Sequence, residues 1–337
     1  LGLGRAAMAS LVEEKSLLLL GQRVCDGEGF RGTVRYTGPV ATSKSADAIW
    51  IGVEWDDSER GKNDGAVFVN DAETRYFTAR SQKAASFVKP GKLDSGLTFT
   101  SALRSKFVEM DSPLEAPGGH LTQGLANTKR GATKKIELVG ELKVRSRQQL
   151  PMGHVDRVTL RLARISSVGS LNFVPKELHL DRLLEVDLQC NLLGSWAAVA
   201  ELIGNLPSLL SLDISGNLLG EPASDLSLGG KLEVLAANDV GLKTWSQVAA
   251  LLKAAPGLKK LRVAAQPLQD ENAAHLLQAN ALEMIDVANT NLTAKLAVRL
   301  LRACPQLLEL HASENAQLTD LSARGVVDQQ QGLVSTK

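Results

Sequence analysis

The feature that most constrains the fold is an internal repeat within residues 151–320. Apolar residues and an asparagine recur in the pattern L-x-x-L-x-L-x-x-N-x-L, as in the stretches LLEVDLQCNLL and LLSLDISGNLL. The copies recur roughly every 25 residues, within the period of 20–29 residues that is typical of one class of repeat protein. Seven copies begin at Val155, Leu183, Leu209, Leu232, Leu258, Leu282 and Leu307. Such a period predicts stacked units that bury a shared core.

The pattern is typical of leucine-rich repeats and predicts an α/β leucine-rich-repeat solenoid over residues 151–320. In each copy the apolar positions flank a short strand, and the asparagine turns the chain and satisfies buried backbone groups. The remainder of the copy carries a helix on the convex side. The charges on the concave face have mixed sign, which favours a protein partner over nucleic acid. The candidate contacts are Glu185, Asp187, Asp213, Arg262 and Asp286; the alternative is a solvated face.

The rest of the chain divides by composition. Residues 20–93 contain short β-branched and aromatic runs between Gly, Asp, Asn and Ser clusters, which predicts a small all-β domain. We expect a flexible N-terminus over 1–19, a linker with a basic segment over 94–150, and a polar tail over 321–337. The basic segment, from Lys129 to Arg147, is either a solvated linker or an arm that attracts acidic surfaces.

The stretch GKNDG (residues 61–65) is the strongest candidate binding loop. One interpretation is a tight turn, because Asn-Asp-Gly suits positive φ angles. The other is a docking site, in which two glycines allow close backbone approach and leave N–H groups free for a ligand. Lys62 and the Asn63 amide then donate to carboxylates, beside an apolar groove of Trp50, Phe77 and Phe87.

The segment GTVRYTG…AIWIGVEWDDSERGKNDG…RYF…SFVKP resembles the CAP-Gly domain. The resemblance implies a small SH3-like barrel that binds acidic C-termini ending in Glu-Glu-Tyr or Glu-Glu-Phe, including that of α-tubulin. It implies that the terminal carboxylates are held within the loop and that the ring groove lies beside it. The implied site residues are Gly61, Lys62, Asn63, Asp64, Gly65, Trp50, Val53, Phe77 and Phe87. Two departures touch the rim: a longer segment before Tyr76, and Ala85 in place of a glycine.

A CAP-Gly domain followed by leucine-rich repeats resembles the tubulin-folding cofactors. The resemblance implies a cytoplasmic, cytoskeleton-associated chaperone that takes part in assembly or dissociation of α/β-tubulin dimers. Its implied partners are α-tubulin and other tubulin-folding cofactors. That family normally continues into further repeats and a ubiquitin-like domain, so we expect a fragment or a short form. The alternative is a microtubule-tip or cytoskeletal scaffold adaptor without folding activity.

Other classes of function receive no support from the sequence. The five histidines are scattered, with no HExxH motif and no paired cysteine spacing, so we expect no metal, no cofactor and no catalytic site. The formal net charge of +1 favours no particular partner, so any electrostatic function depends on local patches. No apolar run approaches the ~20 residues of a membrane span. We therefore predict a binding protein and not an enzyme.

Overall fold

The computed structural model describes residues 18–107, 155–170, 179–269, 279 and 281–318, and the backbone of strands at 125–127, 133–135 and 334–335. These residues form an antiparallel N-terminal unit and a parallel sheet with helices. Most of the predicted basic segment and polar tail lies outside them. Residues 1–17 also lie outside, but Leu18 packs into the core of the N-terminal unit. The predicted flexibility of residues 1–19 is therefore wrong at its C-terminal end.

The N-terminal unit has seven strands: β1 (Arg23–Asp26), β2 (Arg31–Gly38), β3 (Trp50–Trp55), β4 (Ala66–Val69), β5 (Ala72–Arg75), β6 (Ala85–Val88) and β7 (Leu93–Asp94). Five of them form one sheet in the order β6–β3–β2–β1–β7. Strands β4 and β5 form a separate hairpin. Asn70 and Asp71 join them with φ angles of 50° and 63°, the backbone that a two-residue hairpin turn requires.

The core of this unit follows from alternation along β3. Ile51, Val53 and Trp55 point inward and are at most 2% exposed, because successive strand residues face opposite sides. Trp50 and Gly52 therefore lie on the other face. That outer face of β3 carries the candidate groove.

The first part of the predicted linker is structured. Strand β8 (Leu97–Thr98) pairs in parallel with the strand Ile165–Ser167, and helix α1 (Phe99–Phe107) follows. Phe99 and Leu103 are each 1% exposed in the same core as the parallel sheet. The linker prediction is wrong for this segment, since its apolar residues close one end of that core. Strands β9 (Leu125–Asn127) and β10 (Thr133–Lys135) form a small antiparallel pair.

In the parallel-sheet region, residues 155–318, short strands recur along the chain. Its strands are β11 (Arg157–Thr159), β12 (Ile165–Ser167), β13 (Glu185–Asp187), β14 (Ser211–Asp213), β15 (Val234–Ala236), β16 (Lys260–Arg262), β17 (Met284–Asp286) and β18 (Glu309–His311). All except β12 lie side by side in chain order, and β19 (Val334–Ser335) adds to β18. Every predicted copy contains a strand that begins two residues after the predicted start, and the first copy also contains β12. The predicted strands are therefore confirmed.

The amides at the turn positions are buried and hydrogen bonded. Asn191 and Asn217 are 0% exposed. The Asn217 amide donates to the carbonyls of Leu188 and Ile214 and accepts from the Leu193 N–H. Gln266 and Asn315 make the same kind of contacts later in the sheet. The predicted role of the asparagine position is therefore confirmed.

Among the described residues of this region, three helices pack in the same core as the sheet: α2 (Trp196–Gly204), α3 (Trp245–Ala254) and α4 (Ala294–Ala303). Each begins after a hydroxyl residue, Ser195, Thr244 or Thr293, whose side chain accepts an N–H of the first turn, as helix N-caps do. Trp196 and Trp245 are buried against the sheet. None of the described helices is both long and apolar enough to cross a membrane.

Candidate functional site

The GKNDG loop is built on two close backbone approaches. A Cβ atom on Gly61 would lie 2.4 Å from the backbone nitrogen and oxygen of Ala85. Gly65 has φ +99°, and a Cβ atom there would lie 2.3 Å from the Phe77 oxygen. No larger residue fits either position without moving the backbone. Both glycines therefore serve the packing of this loop against its own domain.

The loop backbone has few N–H groups left for a ligand. The N–H of Gly61 donates to the Lys83 carbonyl at 2.6 Å, and those of Lys62 and Asn63 donate to the Ala85 carbonyl at 2.7 and 3.1 Å. The expectation that the glycines leave backbone donors free is wrong for these three residues. The loop also has side-chain donors: Lys62 is exposed and makes no ion pair with any described residue.

The Asn63 side chain bridges the turn and keeps donors available. Its oxygen accepts the Gly65 N–H at 3.1 Å. That bond orients the amide, and within the described ranges its nitrogen has no hydrogen-bond partner. The lysine ammonium and the asparagine amide nitrogen are thus the two groups of this loop suited to a carboxylate.

Asp64 is held by the hairpin that follows it. Both terminal nitrogens of Arg75 donate to one Asp64 oxygen at 3.0 Å, and Arg75 also contacts Glu73. Desolvation raises the pKa of Asp64, but the hydrogen bonds and charge of Arg75 together outweigh it and place that pKa below its usual value. The carboxylate is therefore charged and paired beside the loop.

A cluster of four rings lies on the outer face of β3. The ring centroid of Phe87 is 5.8 Å from that of Phe77, 5.3 Å from that of Tyr76 and 6.2 Å from that of Tyr36. Register places Gly52 between Tyr36 and Phe87 on neighbouring strands. A Cβ atom on Gly52 would lie 2.4 Å from the Phe77 ring. The missing side chain of Gly52 thus makes room for the cluster.

The two other predicted groove residues of β3 differ in position. Trp50 is half-buried on the same face as Gly52, and its indole N–H has no hydrogen-bond partner among the described residues. Val53 is 0% exposed in the barrel core beside Val34. Its assignment to the groove is wrong, because its position in the alternation of β3 points it inward.

The predicted contacts on the parallel sheet lie on one face. Asp187 and Asp213 are register partners on adjacent strands, as are Arg262 and Asp286, with buried Ala236 between the two pairs. Glu185 lies two residues before Asp187 on the same face of β13, and it forms an ion pair with Arg157 at 2.7 Å. Their contact with a partner stays a prediction.

Three of these carboxylates also have a local role. An oxygen of Asp187, of Asp213 and of Asp286 accepts the N–H two residues later, at 2.9–3.1 Å. These hydrogen bonds turn the chain at the end of each strand. Each carboxylate uses one oxygen for this hydrogen bond and keeps its negative charge on the face of the sheet.

The comparison with known domains matches the N-terminal unit. Residues 20–93 match the family model of the CAP-Gly domain. This segment is a CAP-Gly domain. The solution structure of the CAP-Gly domain in human kinesin-like protein KIF13B is 28% identical, and the match covers 24% of this chain and 73% of that one, with a TM-score of 0.20.

The similarity extends beyond the CAP-Gly domain. Tubulin-specific chaperone E of Danio rerio is 34% identical over 306 residues, which are 88% of this chain and 53% of the relative. The Homo sapiens protein of that name is 29% identical over 299 residues, 88% and 53% of the two chains. Tubulin-folding cofactor E of Arabidopsis thaliana is 28% identical over 247 residues, 73% and 44%. The chain spans about half the length of the first two relatives.

Three residues of this site were not predicted from the sequence: Tyr36 and Tyr76, which belong to the ring cluster, and Gly52, which makes room for it. Tyr36 lies in GTVRYTG and Gly52 in WIGVEW, and the pairing of β2 with β3 brings them together. Tyr76 precedes the predicted Phe77, and its hydroxyl accepts the Ala41 N–H at 2.7 Å. The alternation of residues along each strand indicates which side chains share a face. The register between the strands is also needed to show that these three residues lie together.

Proposed function

We propose that this chain is a tubulin-folding chaperone. Its CAP-Gly domain binds the acidic C-terminal tail of α-tubulin. The outward face of the parallel sheet, which carries Asp187, Asp213 and Asp286, binds the tubulin body. The chain takes part in assembly or dissociation of α/β-tubulin heterodimers. The observation that carries the proposal is a pair of side-chain donors, Lys62 and Asn63, on a CAP-Gly loop that packs against Phe77 of the ring cluster.

The chemistry of the groove suits an acidic peptide with a terminal aromatic residue. The Lys62 ammonium and the Asn63 amide donate to carboxylates, and a charge-assisted bond of this kind is among the stronger ones. The rings of Phe77, Phe87 and Tyr36 offer offset and edge-on contacts to a further ring. A groove that binds both a terminal carboxylate and an aromatic side chain is specific for a peptide C-terminus that ends in an aromatic residue.

The parallel-sheet region is proposed to be a leucine-rich-repeat solenoid. A strand in every copy, buried amides at the turn position and helices packed in the same core support this assignment. Solenoids present long faces to partners. The contacts proposed for the tubulin body are Glu185, Asp187, Asp213, Arg262 and Asp286.

We propose a non-enzymatic, cytoplasmic role associated with the cytoskeleton, in company with other tubulin-folding cofactors. The names of the relatives describe chaperones and folding cofactors. A scaffold adaptor that uses the same CAP-Gly groove is the second candidate. Co-sedimentation separates the two, because an adaptor pellets with polymerised microtubules, whereas a chaperone binds soluble α-tubulin.

Substitution of Lys62 tests the groove directly. Lys62→Ala should weaken binding of a Glu-Glu-Tyr-ending peptide by about 10- to 100-fold, because a hydrogen bond to a charged group contributes about 1.5–3 kcal/mol. Isothermal titration calorimetry measures the affinity. Lys92→Ala is the matched control, because Lys92 is exposed beside β7, at the sheet edge opposite β6. Equal affinities of the wild type and Lys62→Ala would contradict the assignment.

A further inference from the structure

The CAP-Gly domain and the parallel-sheet region are joined by a very short connection. Strand β7 pairs with β1 inside the CAP-Gly domain, and β8 pairs with β12 in the parallel-sheet region. Only Ser95 and Gly96 lie between them, so the Cα atoms of Asp94 and Leu97 are at most about 11 Å apart. Gly96 is closely packed, since a Cβ atom there would lie 2.3 Å from the Arg164 oxygen. No flexible tether separates the two units here.

Arg31 connects the two units through space. Its guanidinium donates to the backbone carbonyl of Gly216 and, at 3.5 Å, to that of Asn191. Both carbonyls lie in the turns that follow β13 and β14. The same guanidinium lies 3.9 Å from an Asp56 oxygen, so Asp56 orients the donor from within the CAP-Gly domain.

A buried ion pair supports this contact. Arg23 is 3% exposed and donates to both Asp56 oxygens, one of them at 2.6 Å, and to the Thr33 hydroxyl at 2.9 Å. A Cβ atom on Gly194 would lie 3.0 Å from the Arg23 side chain. Arg23 is thus packed against the turn after β13, and its charge is paired on the CAP-Gly side.

A carboxylate of the parallel-sheet region faces charges of both signs across the interface. Asp239, in the turn after β15, interacts electrostatically with Arg31, Arg80 and Asp56. Burial and then the Asp56 charge raise the pKa of Asp239 above its usual value, and the charges of Arg31 and Arg80 offset this only in part. The interface therefore reaches the turns that follow three consecutive strands of the sheet.

The interface leaves the groove uncovered. Arg31 begins β2, whereas Tyr36 and its partner Gly52 lie toward the other end of the β2–β3 pair. Five residues along a strand span about 16 Å. Docking through Arg31 therefore orients the groove and does not occlude it.

We infer that the interface holds the CAP-Gly groove in one orientation relative to the outward face of the parallel sheet, so that the two surfaces form a composite recognition site. This inference rests on the proposed function and deepens it. The composite site fits one folded protein that presents an acidic, aromatic-ended tail at a set position relative to its body. Simultaneous engagement gains affinity only where the geometry allows it. An isolated tail peptide gains nothing from the interface.

Two variants test the composite site. Arg31→Ala removes the hydrogen bonds to the Asn191 and Gly216 carbonyls, and about six Gly and Ser residues inserted after Ser95 lengthen the connection. Arg302→Ala is the matched control, since Arg302 is exposed on α4. Nitrogen-15 relaxation of the full chain should give one rotational correlation time for both units in the wild type and control. The CAP-Gly amides should tumble faster in both variants.

Binding gives the second readout. Both variants should keep wild-type affinity for a Glu-Glu-Tyr-ending peptide and lose at least about tenfold in affinity for soluble α/β-tubulin. Wild-type CAP-Gly amides that tumble independently, or variants that bind tubulin as tightly as the wild type, would overturn the inference. A wild-type chain that tumbles as one body but binds neither peptide nor tubulin would overturn the proposed function and leave the fixed orientation standing.

Discussion

At the scale of single residues, the binding loop carries a charge that opposes its proposed ligand. Asp64 lies two positions from Lys62, and its carboxylate is negative in the range where an acidic tail binds. Arg75 pairs with it through two hydrogen bonds of 3.0 Å. Arg75 therefore shields the ligand from repulsion as well as joining the hairpin to the loop.

This pairing predicts a compensated double substitution. Arg75→Ala should weaken binding of the Glu-Glu-Tyr-ending peptide about two- to fivefold, the modest size expected of exposed charges. Asp64→Asn in the same chain should restore the affinity, because the unpaired charge is then gone. Calorimetry at low and physiological salt measures both effects, and salt should reduce them. Glu73→Gln is the control, since it leaves the Asp64–Arg75 pair intact. A double variant no better than Arg75→Ala would refute the shielding role.

At the scale of elements, the parallel sheet depends on buried amides between its strands. Asn217 satisfies two carbonyls and one N–H from neighbouring turns and is itself fully buried. An unsatisfied buried backbone group costs about 1–3 kcal/mol. The amide therefore joins successive copies through hydrogen bonds that the apolar core cannot replace.

Asn217→Ala should lower the free energy of unfolding by about 1–3 kcal/mol, because the buried Leu193 N–H loses its partner. The Leu188 and Ile214 carbonyls each keep one donor, the Asn191 amide and the Asn217 backbone N–H. Urea unfolding followed by circular dichroism measures the change. Asn205→Ala is the control, because the Asn205 amide bonds only the Glu201 carbonyl at an exposed helix end. We expect the control to lose no more than about 1 kcal/mol. Equal losses in the two variants would show that the buried bonds carry no special stability.

The strands of the parallel sheet could be predicted from the sequence because the apolar residues that enter the core recur with the period of the repeat. Each strand begins two residues after an apolar position that must enter the core, as with Leu183 and β13. Helix α1 was harder, because Phe99, Ala102 and Leu103 show helical spacing over only one turn. Val53 was misassigned although the alternation of β3 already pointed it inward. Tyr36 could not be assigned without the β2–β3 register, which is a non-local property.

At the scale of the whole molecule, the decisive contacts join distant parts of the chain. Arg31 and Gly216 are 185 positions apart, and no local pattern announces their meeting. The sequence alone suggested two binding units on a linker, whereas the structure joins them by two residues and by hydrogen bonds from Arg31 across the interface. Affinity for a two-part partner then depends on orientation and not on the length of a tether.

The same interface makes the molecule sensitive to acid through Asp56. Burial raises the pKa of Asp56, but hydrogen bonds from Arg23 and the charges of Arg23, Arg31 and Arg80 outweigh this and lower that pKa below its usual value. A carboxyl whose pKa is lowered by folding stabilises the folded state above its unfolded pKa, near pH 4. That contribution is lost as the pH falls from there through the folded pKa.

Asp56→Asn should therefore cost about 3 kcal/mol of unfolding free energy at pH 7, because Arg23 is left buried without its counter-charge. The difference from the wild type should stay constant down to about pH 4 and shrink at lower pH, where the wild-type carboxyl gains its proton. Urea unfolding at a series of pH values from 7 to 3, followed by tryptophan fluorescence, measures this difference. Asp57→Asn, at the exposed neighbouring position, should leave stability nearly unchanged throughout. A difference that persists undiminished at pH 3 would mean that the Asp56 charge does not stabilise the pair, and the loss at neutral pH would then reflect packing alone.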